Sequence, residues 1–161
     1  MTHVHDIVLR PMRIADLPRV VALEAEIYSD PWSLESFEEI IRESFWQSVV
    51  AQSVDARGME TVVGYACWYV AADEFHIGNI AVDSGVRRKG VAQRMLEHMF
   101  AVARRSPAEK MYLEVRVTND AARRFYLKHG FAEGYRRKGY YNDPIEDAII
   151  MWRPVHMPPL S

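Results

Sequence analysis

Asn79-Ile80-Ala81-Val82, followed by Arg87-Arg88-Lys89-Gly90-Val91-Ala92, holds the most legible chemistry of the chain. A β-like apolar run passes through a short basic loop straight into a helical pattern. The first N–H groups of a helix have no partner within it, its macrodipole favours negative charge, and Gly90 lets a phosphate approach the main chain, so a pyrophosphate fits. The spacing is neither a Walker loop nor a three-glycine dinucleotide fingerprint, and a merely solvated basic turn is the competing reading. Further on, Tyr112, Glu114 and Arg116 share one face of a strand whose other face is Met111, Leu113 and Val115. On spacing alone, an ion pair with Arg116 two residues along on the same face is the favoured reading of Glu114. Cys67 lies between Ala66 and Trp68 in an apolar run with no histidine at nearby spacing, which predicts a buried structural thiol rather than an acyl carrier.

These residues need elements to hold them. Residues 7–11 alternate as a first strand, and Asp16 stands as an N-cap before Leu17, Val20, Val21, Glu24, Ile27 and Tyr28 at helical spacing. The segment Ser29-Asp30-Pro31-Trp32-Ser33 interrupts the pattern, and Ser33 caps a second helix through Leu34, Phe37, Ile40 and Ile41. Residues 47–54 and 61–70 are β-rich and joined by the turn Asp55-Ala56-Arg57-Gly58, and residues 74–82 continue the meander. An amphipathic helix over 90–105 leads through Ser106-Pro107 to a strand over 111–115. Asn119 or Asp120 opens a further helix closed by a left-handed C-cap at Gly130, and strands follow over 132–140 and 147–152. The order β-α-α-β-β-β-α-β-α-β-β predicts one α/β (α+β) domain over 1–153, with 154–161 a flexible tail.

The 161 residues, 49% hydrophobic and 26% charged, suffice for a core without disulfide or metal support and exclude disorder, collagen-like repeats and coiled coil. A net charge of −2 conceals a division: residues 1–80 hold 5 Lys+Arg against 13 Asp+Glu, and residues 81–161 hold 15 against 9. The acidic half includes Glu24, Glu26, Asp30, Glu35, Glu38 and Glu39 around Trp32, a setting suited to a cationic guest. One cysteine, no Cys/His cluster at zinc spacing, no targeting segment and no apolar run long enough to cross a bilayer predict a cytoplasmic protein with no metal and no membrane role. His3 and His5 are read as part of a frayed terminus. The groups Arg104-Arg105, Arg123-Arg124 and Arg136-Arg137-Lys138 lack the aromatic interleaving of an RNA-binding module, so direct nucleic-acid binding is not expected. The chain is expected to be a monomer.

The run Arg-x-x-Gly-x-Ala at Arg87, Gly90 and Ala92, after an antiparallel strand, resembles the acetyl-CoA loop of the GNAT acetyltransferases. Asn119 and Tyr126-x-x-x-Gly130-Phe131 resemble the next segment of that superfamily, and the element order over about residues 7–153 is similar to its order. More narrowly, Asp30-Pro31-Trp32-Ser33, Asn79-Ile80-Ala81-Val82, Leu113-Glu114-Val115-Arg116, Tyr140-Tyr141 and residues 146–151 resemble the RimI-type ribosomal-protein alanine N-acetyltransferases. Departures are Ala92 in place of a second glycine, an insertion over 55–60, which leaves substrate preference open, and extra residues at both ends.

The resemblance implies a mixed, mostly antiparallel sheet of about seven strands flanked by about four helices, with acetyl-CoA as cosubstrate. The main chain of Ile80, Ala81 and Val82 would run beside the pantetheine arm. Arg87, Arg88, Lys89, Gly90, Val91, Ala92 and Gln93 would hold the pyrophosphate, and Asn119 would touch the cofactor. Glu114 would be the general base and Tyr126 the general acid, with a free strand N–H near Ile80 or Ala81 polarising the thioester oxygen. An α-amine titrates near pH 8 and must lose a proton before it attacks, so a base is needed. Trp32, Trp46, Tyr140 and Tyr141 could wall an incoming peptide, with Trp32 and Tyr141 foremost. The acceptor implied is a protein N-terminus, that of a small-subunit ribosomal protein beginning with alanine. Alternatives are a lysine side chain or a small amine, and a non-catalytic acyl-CoA-binding module that would need neither Glu114 nor Tyr126.

Overall fold

In the computed structural model, which describes residues 6–157, both periodicities of the sequence appear as regular elements. These are β1 (Ile7–Pro11), α1 (Leu17–Ile27), α2 (Leu34–Arg42), β2 (Trp46–Val54), β3 (Glu60–Ala71), β4 (Glu74–Val82), α3 (Val91–Arg104), β5 (Lys110–Arg116), α4 (Asp120–Lys128), β6 (Ala132–Tyr141) and β7 (Glu146–Pro154). The strands form one sheet in the order β1-β2-β3-β4-β5-β7-β6, the mixed sheet expected. Strand alternation divides the core between its faces. On β3, Ala66 and Trp68 point into a cluster with Met95, Leu96, Met111 and Met151, whereas Tyr65 and Cys67 point into one with Leu17, Val20, Leu23 and Phe37. Helix α3 thus packs on one face, and α1 and α2 on the other.

Local chemistry sets the ends of the helices. The Ser33 hydroxyl accepts the Ser36 N–H at 3.1 Å to start α2, and Asn119 Oδ1 accepts the Ala122 N–H at 3.2 Å to start α4. Gly130, at φ +89°, turns the chain out of α4 through the left-handed region. Asp16 stands at the N-cap of α1 but does not cap it. Its carboxylate accepts both guanidinium nitrogens of Arg10 at 2.8 Å and the Arg13 N–H at 2.8 Å, so β1 and the α1 entrance are tied together.

The β4–β5 pairing positions the site. These parallel strands pair only over Glu74↔Lys110, Phe75↔Met111 and His76↔Tyr112, then diverge. At the divergence β4 carries a bulge: Trp68 pairs with Ile77 and Cys67 with Asn79, leaving Gly78 between them. A Cβ on Gly78 would lie 2.5 Å from the Trp46 ring and 3.3 Å from that of Trp32, so the bulge and two indoles fit together only around glycine. At the C-terminus, Pro154 still pairs with Lys110, and Val155 is buried with its N–H donating to the Glu109 carbonyl at 2.9 Å. The packed chain therefore runs past residue 153, where the tail was expected to begin; residues 158–161, like His3 and His5, lie outside the described residues.

Candidate active site

Divergence of β4 from β5 opens a cleft of about 840 Å³. One wall is Tyr28, Asp30 and Trp32 from the end of α1 and the loop after it, and another is Ile77 to Ile80 on β4. The opposite side is Glu114 and Arg116 on β5, Asn119 and Tyr126 at α4, and Tyr140 and Tyr141 at the end of β6. Segments far apart in the chain thus bring Glu114, Tyr126, Asn119, Ile80, Trp32 and Tyr141 into one cavity. None of residues 55–60 lines it.

Burial alternates along β5, with Met111, Leu113 and Val115 buried and Glu114 half-buried on the cleft face. Arg116 does not pair with Glu114. Its guanidinium meets Glu146 at 3.2 Å, donates to the carbonyls of Asn142 at 3.0 Å and Pro144 at 3.1 Å, and lies 4.4 Å from the Tyr141 ring centre. Arg116 therefore braces the β6–β7 turn and leaves the Glu114 carboxylate to the cleft. Burial, and then the Glu114 charge, push the phenols of Tyr69, Tyr140 and Tyr141 upward, so Glu114 faces neutral hydroxyls. Tyr126 packs its ring on Phe125 and Phe131 at 5.2 and 5.5 Å while its residue lines the cleft. Burial pushes its phenol well above the ordinary tyrosine range, so it keeps its proton at neutral pH.

Beyond β4 the chain enters the basic loop. Asp83 anchors it: its N–H donates to the Val63 carbonyl at 2.8 Å and its Oδ1 accepts the Gly85 N–H at 2.8 Å, while Val86 is buried. Arg87 and Arg88 are exposed, and the chain passes through the left-handed region at Arg88 (φ +66°) and Gly90 (φ +79°) before α3 begins at Val91. No atom lies within 4 Å of where a Gly90 Cβ would be, so the backbone conformation rather than crowding demands glycine there. The N–H groups of Val91, Ala92 and Gln93 stand in the first turn of a 14-residue helix, without helical acceptors and beside three cationic side chains. That donor set fits a pyrophosphate. Ala81 turns its side chain into the core, so that its main chain is what it offers a ligand. The Ile80 N–H, expected to be open, donates to Asn79 Oδ1 at 3.0 Å, and the Ile80 carbonyl accepts the Tyr28 hydroxyl at 2.8 Å.

Glu24 departs most from the expected arrangement. The sequence groups it with the acidic residues around Trp32 that suit a cationic guest, yet it is 1% exposed and lines the cleft. Its carboxylate accepts the Trp32 N–H at 3.0 Å, the Asn79 Nδ2 at 3.0 and 2.8 Å on its two oxygens, and the Tyr65 hydroxyl. Burial pushes it up to about 7, against the lowering effect of the Trp32 and Asn79 hydrogen bonds. The signal was present in the sequence, since Glu24 occupies the apolar stripe of α1 with Val20 and Ile27, where a carboxylate needs partners. Glu26, Asp30, Glu35 and Glu39 are exposed, as an acidic rim requires. Trp32 meets Phe37 at 5.7 Å and Trp46 at 6.1 Å, so Trp46 backs the wall that Trp32 faces. The Cys67 thiol is fully buried, is pushed upward by that burial and points at the Asn79 carbonyl, as expected of a structural thiol.

A family model described as "Acetyltransferase (GNAT) family" matches residues 17–131. The ribosomal protein bS18-alanine N-acetyltransferase of Escherichia coli K12 is 32% identical over 148 residues, covering 91% of this chain and 96% of that one. The N-alpha-acetyltransferase RimI of Mycobacterium tuberculosis is 32% identical over 145 residues, covering 86% and 87%. The crystal structure of the ribosomal-protein-S18-alanine N-acetyltransferase from Escherichia coli superposes with a TM-score of 0.80 at 29% identity, covering 95% and 96%. With a split β4–β5 cleft, a basic turn at a helix N-terminus and a family match across most of its length, the chain belongs to the GNAT family of acetyltransferases.

Proposed function

We propose that this enzyme moves an acetyl group from acetyl-CoA to the α-amine of a protein N-terminus, that of the alanine-initiated ribosomal protein bS18. Arg87, Arg88, Lys89 and the N–H groups of Val91, Ala92 and Gln93 bind the pyrophosphate, and the main chain of Ile80 to Val82 and Asn119 orient the pantetheine arm. The donor supplies a thioester carbonyl to the cleft. Trp32 and Tyr141 flank the acceptor, whose ammonium form predominates at neutral pH. Glu114 takes one proton from the ammonium before attack, freeing the lone pair that forms the C–N bond. As the C–S bond breaks, Tyr126 gives its proton to the departing sulfur, and the second proton of the attacking nitrogen restores the Tyr126 hydroxyl. Tyr140 and Tyr141 keep their protons beside Glu114, so they add no negative charge next to it. Cys67 carries no acyl group, since burial holds it as a thiol away from the cleft surface.

The observation that supports this reading most is Glu114, freed by the Arg116–Glu146 pair and sharing one cleft with Tyr126 and the stretch of β4 that lies beyond its pairing with β5. The reading extends to this chain what the Escherichia coli relative is named for. The test is an assay of the purified enzyme with acetyl-CoA and a peptide carrying the bS18 N-terminus, in parallel with an N-blocked lysine peptide and a polyamine. Free CoA release and an α-N-acetyl mark located by tandem mass spectrometry are expected with the first peptide. Turnover confined to the lysine peptide or the polyamine would move the acceptor class, and acetyl-CoA binding without CoA release from any amine would remove catalysis.

A further inference from the structure

Glu24 sits where an apolar side chain would be easier to bury, and every group that reaches it is a donor from a different element. The Trp32 N–H comes from the loop after α1, the Tyr65 hydroxyl from β3 and the Asn79 amide from β4. Only a group that accepts at both oxygens satisfies all three; an amide there would turn its own NH2 toward that of Asn79. Asn79, held by Glu24 through Nδ2, offers Oδ1 to the Ile80 N–H at 3.0 Å. One carboxylate therefore reaches the acceptor wall at Trp32 directly and the donor strand at Ile80 through a single side chain. Its oxygens already receive three groups, so it is not placed to take a proton from an amine. The titratable groups that feel its charge are Tyr28 and Cys67, both pushed upward chiefly by burial, and the Tyr65 hydroxyl donates to it.

We propose, building on the acceptor and donor sides assigned above, that Glu24 is a positioning residue that fastens the Trp32 loop to the Asn79–Ile80 strand, setting the width of the cleft for peptide and acetyl donor together. When ionised it holds both sides; when protonated it has one fewer acceptor and becomes a donor itself, and the Trp32 loop is released. Burial raises the Glu24 carboxyl to about 7, which puts that change near neutral pH.

Two measurements on the full-length protein test this, one of them independent of the acceptor. Amide hydrogen exchange, followed by NMR at about pH 8, is compared for wild type, Glu24→Gln and Glu24→Gln/Asn79→Asp. Glu24→Gln is expected to lose about tenfold or more of the protection at Trp32 and Ile80, the scale of a lost hydrogen bond to a charged group, with the amides of α3 and β5 unchanged. The double variant, which moves the carboxylate across the pair, is expected to restore it. In parallel, inhibition by a des-amino analogue of the peptide, which lacks the titrating amine, is followed from about pH 6 to 8. Wild-type affinity is expected to fall about tenfold as pH drops through about 7, while Glu24→Gln stays flat at the weaker value and acetyl-CoA affinity changes less. Unchanged Trp32 and Ile80 exchange in Glu24→Gln, or loosening spread evenly over α3 and β5, overturns the fastening role. An analogue that binds no form of the enzyme counts against the peptide acceptor alone, and the exchange data then decide the fastening by themselves.

Discussion

Replacing Glu24 by glutamine has a consequence for stability whose size and sign follow from burial. The carboxyl is pushed up to about 7 in the folded chain against 4.5 for the free side chain, chiefly because burial penalises its charge. A raised folded-state value means that the native protein binds a proton which the unfolded chain has already released. The stability associated with that proton is complete below about pH 4.5 and is lost as pH rises through about 7. At 1.36 kcal/mol for each pH unit between the two values, the native state is destabilised by about 3 kcal/mol at alkaline pH relative to acid, most of it between about pH 5 and 8. Glutamine does not titrate, so Glu24→Gln carries a constant offset for its altered hydrogen bonds and no slope from this site. Equilibrium urea unfolding of both proteins at about pH 5, 6, 7 and 8, followed by tryptophan fluorescence, isolates the site, because every other titrating group cancels in the difference. Wild-type stability minus that of the variant should fall by 2 to 3 kcal/mol, to the nearest unit, across that range. A difference independent of pH would refute the premise that burial holds a proton on Glu24, and a difference rising with pH would show that the hydrogen bonds outweigh desolvation.

Three further outcomes are expected. Glu114→Gln should lower kcat by about 100-fold or more at neutral pH with acetyl-CoA affinity nearly intact, as steady-state kinetics with both substrates varied would measure; unchanged turnover would remove Glu114 from the mechanism. Gly78→Ala forces a Cβ to within 2.5 Å of the Trp46 ring, so the indoles must shift, with a stability loss of about 1–3 kcal/mol by urea unfolding and a raised KM for peptide. Replacing Arg87, Arg88 and Lys89 together by alanine should raise the KM for acetyl-CoA and flatten its dependence on salt while leaving the melting temperature nearly unchanged, because the arginines are exposed and α3 is held by its apolar face.

Much of this architecture can be read from local pattern, because period 2 and period 3.6 are properties of neighbouring residues. The strand over 74–82, the Ser33 cap and the turn at Gly130 appear where the sequence indicates them. Glu114, Tyr126 and Asn119 line one cleft, whereas the basic loop is not part of that lining and stands at the N-terminus of α3. What escaped local reading is decided by distant partners. Asp16 has the type and place of a cap, but Arg10 on β1 takes its carboxylate. Arg116 sits two residues from Glu114 on one face, yet Glu146, thirty residues on, takes its charge. Glu24 shows its unusual position only when the stripe of α1 is drawn, and its three donors lie on segments that no spacing rule connects. The bulge at Gly78 is equally silent, since the rings that require it belong to Trp32 and Trp46.

The short register between β4 and β5 makes the sheet two plates joined along a seam of three residue pairs, with the cleft as the open end of that seam. Parting the plates along that seam breaks three ladder pairs, against eight between β3 and β4 and seven between β5 and β7. Material placed between the blades acts as a splint. Bound acetyl donor should therefore change the elasticity of the molecule more than its shape, raising the force at which the two plates part under a pull applied across β4 and β5.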